Sequence, residues 1–469
     1  MLPSSSSPES SGLAVHHSPA TRQINAGPGV PSGADRQSRV VLYLLMRSLF
    51  ALLLLAGAAR AAEPEAKNLR IVGRSDLRGQ GNGGEGLALR EYDGGRRILF
   101  LAHESAPVCF SVIDVTDVRA PNVLTQVPTV SPDVRCNSLG LSGTTLAVAH
   151  QTARVGLPHA GMRVYDVSSP ETPKELAFFD TSGPHSRGVH FVWFVDGKYA
   201  YLATGAADFV ATHPSDDQFF MIVDVSDPRS PQEVGRWWMP GTREGDSEPP
   251  PPRLKIDGGY RMHSPVVSPE RPDRAYVGWI DGGVVILDIT DRARPKLVAR
   301  RSWYPPEVGY THTALPLFDR NLLVAAEEAV RDRCEDWPKR IWMVDIADEK
   351  KPRPFAVFPT PPNLEELCKR GGRFGAHNIH VNRPGPYSKT LKETVVGTFF
   401  AGGVRVYSIT DPESPEEIAY LIPEAPPGNR TGAIQLNDVY VDEKGWIYAN
   451  DRDTGGLYIL EYTGPTPLR

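Results

Sequence analysis

A short pattern that recurs six times constrains the fold of this 469-residue chain more than any other feature. In residues 219–236, FFMIVDVSDPRSPQEVGR, alternating apolar residues precede an Asp, and Asp-Pro then forces a turn before a second apolar run. Each copy therefore predicts a β-hairpin. The other copies are residues 110–127, 162–179, 284–301, 341–358 and 404–421, and residues 456–464 form a shortened seventh.

Repeats of several short strands without a long helical pattern indicate a propeller, in which each sheet packs against its neighbours. We predict an all-β, seven-bladed β-propeller, in which residues 68–76 complete the last blade and close the ring. The 44 Pro and 43 Gly residues fit a turn-rich chain of this class. The predicted middle strands of the blades are residues 98–103, 146–150, 199–204, 275–279, 322–328, 394–400 and 446–451.

The N-terminal region predicts export. Residues 46–61 begin with Met-Arg, continue with an apolar run too short to span a bilayer comfortably, and end in small residues suited to cleavage near Ala61. Residues 1–45 are either an upstream mis-start, with Met46 as the true start, or a disordered extension before a membrane anchor. With cleavage, residues 62–469 form one propeller without a stable membrane span, located in the periplasm or secreted.

The first residues of the seven predicted inner strands suggest a metal site. Four consecutive blades have His at this register, and inner strands surround the propeller axis, so these imidazoles should lie close together. Imidazole suits transition metals, and we expect copper or iron rather than zinc. The alternative is a repeated His that only hydrogen-bonds the next blade. The seven residues are Glu85, Asn137, His190, His263, His312, His377 and Asn437.

Long, varied loops are predicted on the face of the propeller that carries these four histidines, which we call the His face. Such loops on a rigid scaffold are where function usually resides. They are residues 205–218, 241–259, 327–340 and 359–374. We predict that Glu85 completes the metal site and that Glu327 or Asp451 transfers protons. His380, three residues after His377, is predicted to be structural. Other polar residues expected on this face are His103, Glu104, His150, Glu328, Asp453 and three arginines that could hold an anionic or polar substrate, Arg135, Arg187 and Arg261.

Four cysteines fit two disulfides in an oxidising compartment, Cys109–Cys136 and Cys334–Cys368. The alternative is a thiolate ligand at Cys136, which would favour copper. A net charge of −5 without a basic run argues against a nucleic-acid partner. We expect a monomer acting on a small-molecule substrate.

The pattern V-x-DVSDP-x-x-P-x-x-V-G resembles the LVIVD repeat of exported bacterial β-propeller proteins, as do residues 375–385 and 437–464. This resemblance implies the fold and an exported location, but no single activity. An all-β ring with axial histidines is also distantly similar in architecture to the selenium-binding protein/methanethiol oxidase group and to carotenoid cleavage oxygenases. That similarity implies a metal-dependent oxidase or oxygenase, with the metal on His190, His263, His312 and His377. The alternative function is a non-catalytic scaffold whose long-loop face binds a protein or polymer.

Overall fold

The computed structural model of the protein describes residues 65–254, 256–303 and 309–469. These residues form seven antiparallel sheets, which confirms the predicted all-β, seven-bladed propeller. The predicted signal peptide and the residues before it lie outside the described ranges. Within those ranges, no helix has the length and apolar character needed to cross a bilayer.

The first two strands are β1 (Glu65–Lys67) and β2 (Leu69–Ser75). Blade 1 contains β3 (Gly83–Tyr92), β4 (Arg96–His103), β5 (Val108–Asp114) and β6 (Asn122–Pro128). Blade 2 contains β7 (Val134–Arg135), β8 (Leu139–Ser142), β9 (Thr145–Thr152), β10 (Gly161–Asp166) and β11 (Lys174–Asp180). Blade 3 contains β12 (Val189–Phe194), β13 (Tyr199–Thr204), β14 (Phe219–Asp224) and β15 (Gln232–Trp237).

Blade 4 contains β16 (Met262–Ser268), β17 (Arg271–Trp279), β18 (Gly283–Asp288) and β19 (Lys296–Arg301). Blade 5 contains β20 (Thr311–Leu317), β21 (Leu322–Glu327), β22 (Ile341–Asp345) and β23 (Arg353–Val357). Blade 6 contains β24 (Thr394–Thr398), β25 (Val404–Ser408) and β26 (Glu416–Ile422), and blade 7 contains β27 (Leu436–Val441), β28 (Ile447–Asp451) and β29 (Leu457–Tyr462). The short helices are the α-helix Leu364–Lys369 and the 3-10 turns Asp93–Gly95, Pro214–Asp216 and Phe318–Arg320.

In blades 1 to 5, a repeated Asp at the end of the strand that opens the hairpin explains the recurring turn. The carboxylate of Asp224 accepts a hydrogen bond from the backbone N–H of Ser226 at 2.8 Å, and Asp114 accepts one from Thr116 at 2.9 Å. Such an Asx turn holds the chain in the bend that the following residues continue. The same contact recurs at Asp166, Asp288 and Asp345.

The hydrophobic core is divided among the blade interfaces. Each of seven buried clusters joins two neighbouring sheets; one of them, for example, packs Trp193 of blade 3 with Trp279 of blade 4. Most of the burial energy therefore lies between neighbouring blades, as expected for a propeller.

The N-terminal arm serves two blades. β2 pairs antiparallel with β29 and is the fourth strand of blade 7, while β1 pairs with β26 at the outer edge of blade 6. Asn68 lies between the two strands with φ of 55°. The arm thereby covers the outer edges of two sheets.

Both predicted disulfides are present, Cys109–Cys136 and Cys334–Cys368. Cys109 lies in blade 1 and Cys136 follows the first strand of blade 2, so this bond ties two blades together. The alternative role of Cys136 as a thiolate ligand is wrong, because its sulfur is bonded to that of Cys109.

Candidate metal centre

Four imidazoles and a carboxylate converge where the inner strands meet. The Nε2 atoms of His190 and His263 are 2.8 Å apart. The Oε2 atom of Glu85 lies 3.5 Å from His263 Nε2 and 3.4 Å from His312 Nε2, and its Oε1 lies 3.7 Å from His377 Nε2. All five residues are buried. We call them the His–Glu cluster.

The distances from the Glu85 carboxylate to three of the histidines fit donors around a single ion. Two nitrogens, each about 2.0–2.1 Å from one tetrahedral ion, lie about 3.3 Å apart, close to the separations between Glu85 and its neighbours. The donor atoms of Glu85, His190 and His263 lie within 4.8 Å of one another, as do those of Glu85, His312 and His377. Glu328 forms a third such group with His263 and His312. The cluster therefore has the geometry of a metal site.

Outer hydrogen bonds orient three of the imidazoles. Nδ1 of His190 lies 3.0 Å from the Gln151 amide oxygen, Nδ1 of His312 lies 2.7 Å from the Thr313 hydroxyl, and Nδ1 of His377 donates to the Asn437 carbonyl at 2.7 Å. Partners of this kind fix the ring orientation in metal-binding histidines and leave Nε2 for the ion.

Several inward-facing atoms have no hydrogen-bond partner among the described residues. They are Glu85 Oε2, His312 Nε2, His377 Nε2, Asn437 Oδ1 and both polar atoms of the Asn137 side chain. Buried polar groups are rarely left unpaired. A bound ion would satisfy the donor atoms of the His–Glu cluster.

Three of the four imidazoles are held in the neutral form that a metal requires. Burial lowers the pKa of His190, His263 and His377 well below the usual value. At His190, the positive charge of Arg135 adds to this effect on the pKa. Neutral imidazoles keep the Nε2 lone pair available.

β-Bulges turn the cluster residues out of the regular ladder. Glu85, His190, His263 and His312 each lie at a point where the pairing of the inner strand with the second strand shifts register. Asn437 lies at the same kind of shift in blade 7. A bulge re-aims a side chain without breaking the sheet, and here five blades use it at the same position.

The axial cavity beyond the cluster is small. Residues that follow the cluster along the inner strands line it, among them Ser264, Thr313 and Asp438. Its volume of about 20 Å³ is enough for one water molecule but not for an organic molecule. Burial, with help from the charge of Glu85, raises the pKa of Asp438 to about 7.

Arginines surround the other side of the cluster, where all four long loops contribute. Arg187 pairs with Asp217 at 2.6 Å, Arg373 with Glu328 at 3.0 Å, and Arg135 and Arg452 share one oxygen of Glu104 at 2.6 Å each. Arg261 donates to the carbonyl of Gly258 at 2.9 Å and to Gln218 at 3.2 Å. We call Arg135, Arg187, Arg261, Arg373 and Arg452 the arginine collar.

Two residues predicted to transfer protons do not reach the cluster. Glu327 accepts hydrogen bonds from the Arg340 backbone and the Trp342 indole, at 2.9 and 2.8 Å. Asp451 accepts bonds from the backbone of Gln435, Asp453, Thr454 and Gly455, which makes it a turn-holding residue. The structure instead brings Glu328 to the cluster, with Oε1 3.8 Å from His377 Nε2.

The remaining polar residues expected on this face lie outside the cluster. The ring nitrogens of His103 contact Asn82 and Ser111, those of His380 contact Lys389 and Val441, and Asp453 pairs with Arg430. Nε2 of His150 lies 3.6 Å from each sulfur of the first disulfide. As predicted, His380 is structural.

Fold and site thus define the chain as a seven-bladed β-propeller with an axial group of histidines and a glutamate that could bind a metal. It carries LVIVD repeats: the LVIVD repeat family model matches residues 215–238 and 273–301, in blades 3 and 4. No curated protein matches the chain.

Two solved structures are similar in fold. One is the β-propeller domain of Myceliophteria thermophila Cps50 (Swd1), with a TM-score of 0.49 and 14% identity, covering 80% of this chain and 96% of that chain. The other is Chaetomium thermophilum Raptor, with a TM-score of 0.50 and 11% identity, covering 87% of this chain but only 30% of Raptor. At this identity, the likeness to Raptor concerns the fold alone.

Proposed function

We propose that the His–Glu cluster binds a transition metal and that the protein is an exported, metal-dependent oxidase or oxygenase-like enzyme acting on a small organic substrate. The observation that supports this most is the convergence of four Nε2 atoms and one carboxylate, several of them unpartnered, in a buried site. Imidazole nitrogens beside a carboxylate suit redox-active transition metals, so we favour copper or iron for the proposed oxidase chemistry.

A copper or iron ion held by the cluster would supply redox chemistry. The chain's own residues supply the rest: Gln151, Thr313 and the Asn437 carbonyl hold the imidazole rings in place, and burial limits access of water. Glu328 lies between His377 and Arg373, where its carboxylate can hold or accept a proton at the mouth of the site.

The alternative function is a binding scaffold for a protein or polymer. The four long loops that border the arginine collar support it, because such loops on a rigid frame commonly form binding surfaces. In that case the histidines serve packing between blades.

Metal analysis decides between the two. We expect the untagged wild-type protein, purified without chelators, to contain close to one copper or iron ion per chain. Protein that is metal-free as purified and remains so after incubation with copper, iron or zinc salts would overturn the enzyme proposal in favour of the scaffold.

Export is the second part of the proposal. The two disulfides and the LVIVD repeats are consistent with an extracellular location. Expressed from Met46 in a bacterial host, the protein should be exported and its N-terminus should lie near Ala62. N-terminal sequencing that finds residues 46–61 retained would contradict cleavage.

A further inference from the structure

The arginine collar holds more positive charge than its own ion pairs neutralise. Its five guanidiniums face four carboxylates, which are Glu104, Glu328 and Asp217 in the collar and Glu85 beneath it. Arg261 donates to neutral oxygens of Gly258 and Gln218. A divalent ion in the His–Glu cluster would add two further positive charges to the same partly buried region.

Two of these arginines are held together despite their like charges. Arg373 and Arg452 both lie over the ring of Phe400, 5.4 and 5.7 Å from its centroid. Phe400 in turn stacks on His377, with ring centroids 4.3 Å apart. The pair therefore lies directly beside the cluster, where an anion would relieve the repulsion.

The guanidiniums of the collar are partly exposed to solvent. On the opposite side, the axial cavity accommodates no more than about one water. Residues 381–391 cover that side, with Arg383 over Trp193 and the Tyr440 hydroxyl donating to the Tyr387 carbonyl at 2.6 Å. The collar side chains remain 19–31% exposed at Arg135, Arg187, Arg373 and Arg452.

We propose that the substrate is a small organic oxyanion, whose carboxylate or phosphate group binds to the arginine collar beside the His–Glu cluster. This assignment of substrate class rests on the proposed metal-dependent function. The planar guanidinium forms paired hydrogen bonds with either group, which suits recognition of an oxyanion better than of a neutral molecule.

Binding of simple probes tests the proposal without knowledge of the natural substrate. Isothermal titration calorimetry at constant ionic strength should compare formate, benzoate and phosphate with neutral benzamide, on protein as purified and on metal-stripped protein. We expect at least one oxyanion to bind at least tenfold more tightly than benzamide in both forms. Tighter binding of benzoate would indicate a carboxylate substrate, and tighter binding of phosphate would indicate a substrate with a phosphate group.

Two variants localise the binding. Arg452→Gln leaves Glu104 paired with Arg135, and Arg261→Gln removes no ion pair with a carboxylate, so neither strands a buried acid. Each should weaken oxyanion binding roughly tenfold. Arg294→Gln, at a side chain that is 82% exposed, is the matched control and should leave binding unchanged. Circular dichroism checks that each variant is folded.

The outcomes separate this inference from the proposed function. Metal-containing protein that binds no oxyanion better than benzamide would overturn the substrate class and leave the metal centre standing. Metal-free protein that binds oxyanions at the collar would overturn the enzyme and leave an anion-binding site. Oxyanion binding that both Arg variants leave unchanged would show that the collar does not hold the ligand and would also overturn the inference.

Discussion

Two kinds of buried histidine occur in the propeller, and their hydrogen bonds distinguish them. In His380, Nδ1 accepts from the Val441 backbone and Nε2 donates to the Lys389 carbonyl, so both nitrogens are satisfied by the protein. In His312 and His377, Nδ1 is occupied and Nε2 has no partner among the described residues. The ring nitrogens of His380 need no further partner, whereas the Nε2 atoms of His312 and His377 require a ligand to be satisfied.

Paired alanine substitutions at these two kinds of histidine should have opposite effects. His312→Ala removes a metal donor whose Nε2 has no hydrogen-bond partner in the described part of the chain, so metal should be lost while the metal-free variant unfolds at nearly the same denaturant concentration as the metal-free wild type. His380→Ala leaves the Val441 N–H buried and unpaired, so it should cost about 1–3 kcal/mol while metal is retained. Metal content and denaturant unfolding of both variants check this, and metal retained in His312→Ala would contradict it.

The raised pKa of the Asp438 carboxyl predicts that the free energy of unfolding depends on pH. Its pKa is raised to about 7, so between about pH 4 and pH 7 the folded state binds more protons than the unfolded state. This contribution therefore favours folding at low pH and is lost as pH rises towards 7. In metal-free protein, Asp438→Asn should be more stable than wild type at pH 8, by on the order of 2 kcal/mol, and the difference should shrink towards pH 4.

The surface substitution Asp93→Asn is the control for Asp438→Asn, because Asp93 is exposed and should show no such pH-dependent gain. Denaturant unfolding at several pH values provides the measurement. A gain from Asp438→Asn that is the same at pH 4 and pH 8 would show that the buried charge is not its cause.

The repeat pattern identifies the histidines and Glu85, and it places both Glu327 and Glu328 on the same face, but it does not show which of these two acids contacts the cluster. The four His residues share a register because the repeats can be aligned on their hairpins, and Glu85 follows from the same alignment. Glu327 and Glu328 are adjacent, and a shift of one residue along a strand reverses the face to which a side chain points. Glu327 pairs with Thr311 as the last residue of its strand, and only the observed strand end shows that Glu328 turns towards the cluster.

At the scale of secondary-structure elements, the bulges at the cluster register were not predictable from period-two alternation. Alternation assumes an unbroken ladder, whereas the pairing of β12 skips His190, and that of β20 skips His312. Sequence alone also predicted one closing strand, but the N-terminal arm forms two. β1 has three residues, EAK, without an apolar alternation that would mark it as a strand.

The two strands of the arm should differ in their contribution to stability. Deletion of residues 62–76 removes β2, whose Leu69 is buried and whose pairing covers the edge of blade 7, so it should cost several kcal/mol. Deletion of residues 62–67 removes only the exposed β1 and should cost less than about 1 kcal/mol. Equal unfolding transitions for the full-length and the 62–76 deletion proteins would show that β2 does not stabilise the ring.

For the molecule as a whole, two connections hold the blades together, one at the periphery of the ring and one at its axis. At the periphery, β2, which directly precedes blade 1, pairs with β29 of blade 7. Glu85 comes from blade 1, and the four histidines come from blades 3 to 6, so an ion bound by Glu85 and two of the histidines would link blade 1 to two other blades from inside. Without β2, an ion would still hold blade 1 to the opposite blades.

The two connections should therefore depend on each other. We expect that chelation of the metal and deletion of residues 62–76 together lower the free energy of unfolding by more than the sum of the separate losses, because either connection alone restrains the opening between blades 7 and 1. Denaturant unfolding of both proteins, each with and without bound metal, measures the coupling. His312→Ala in place of the chelator is the control, since it should remove the metal without a chelating reagent. Losses that add to within about 0.5 kcal/mol would show that the ion does not cross-link the ring.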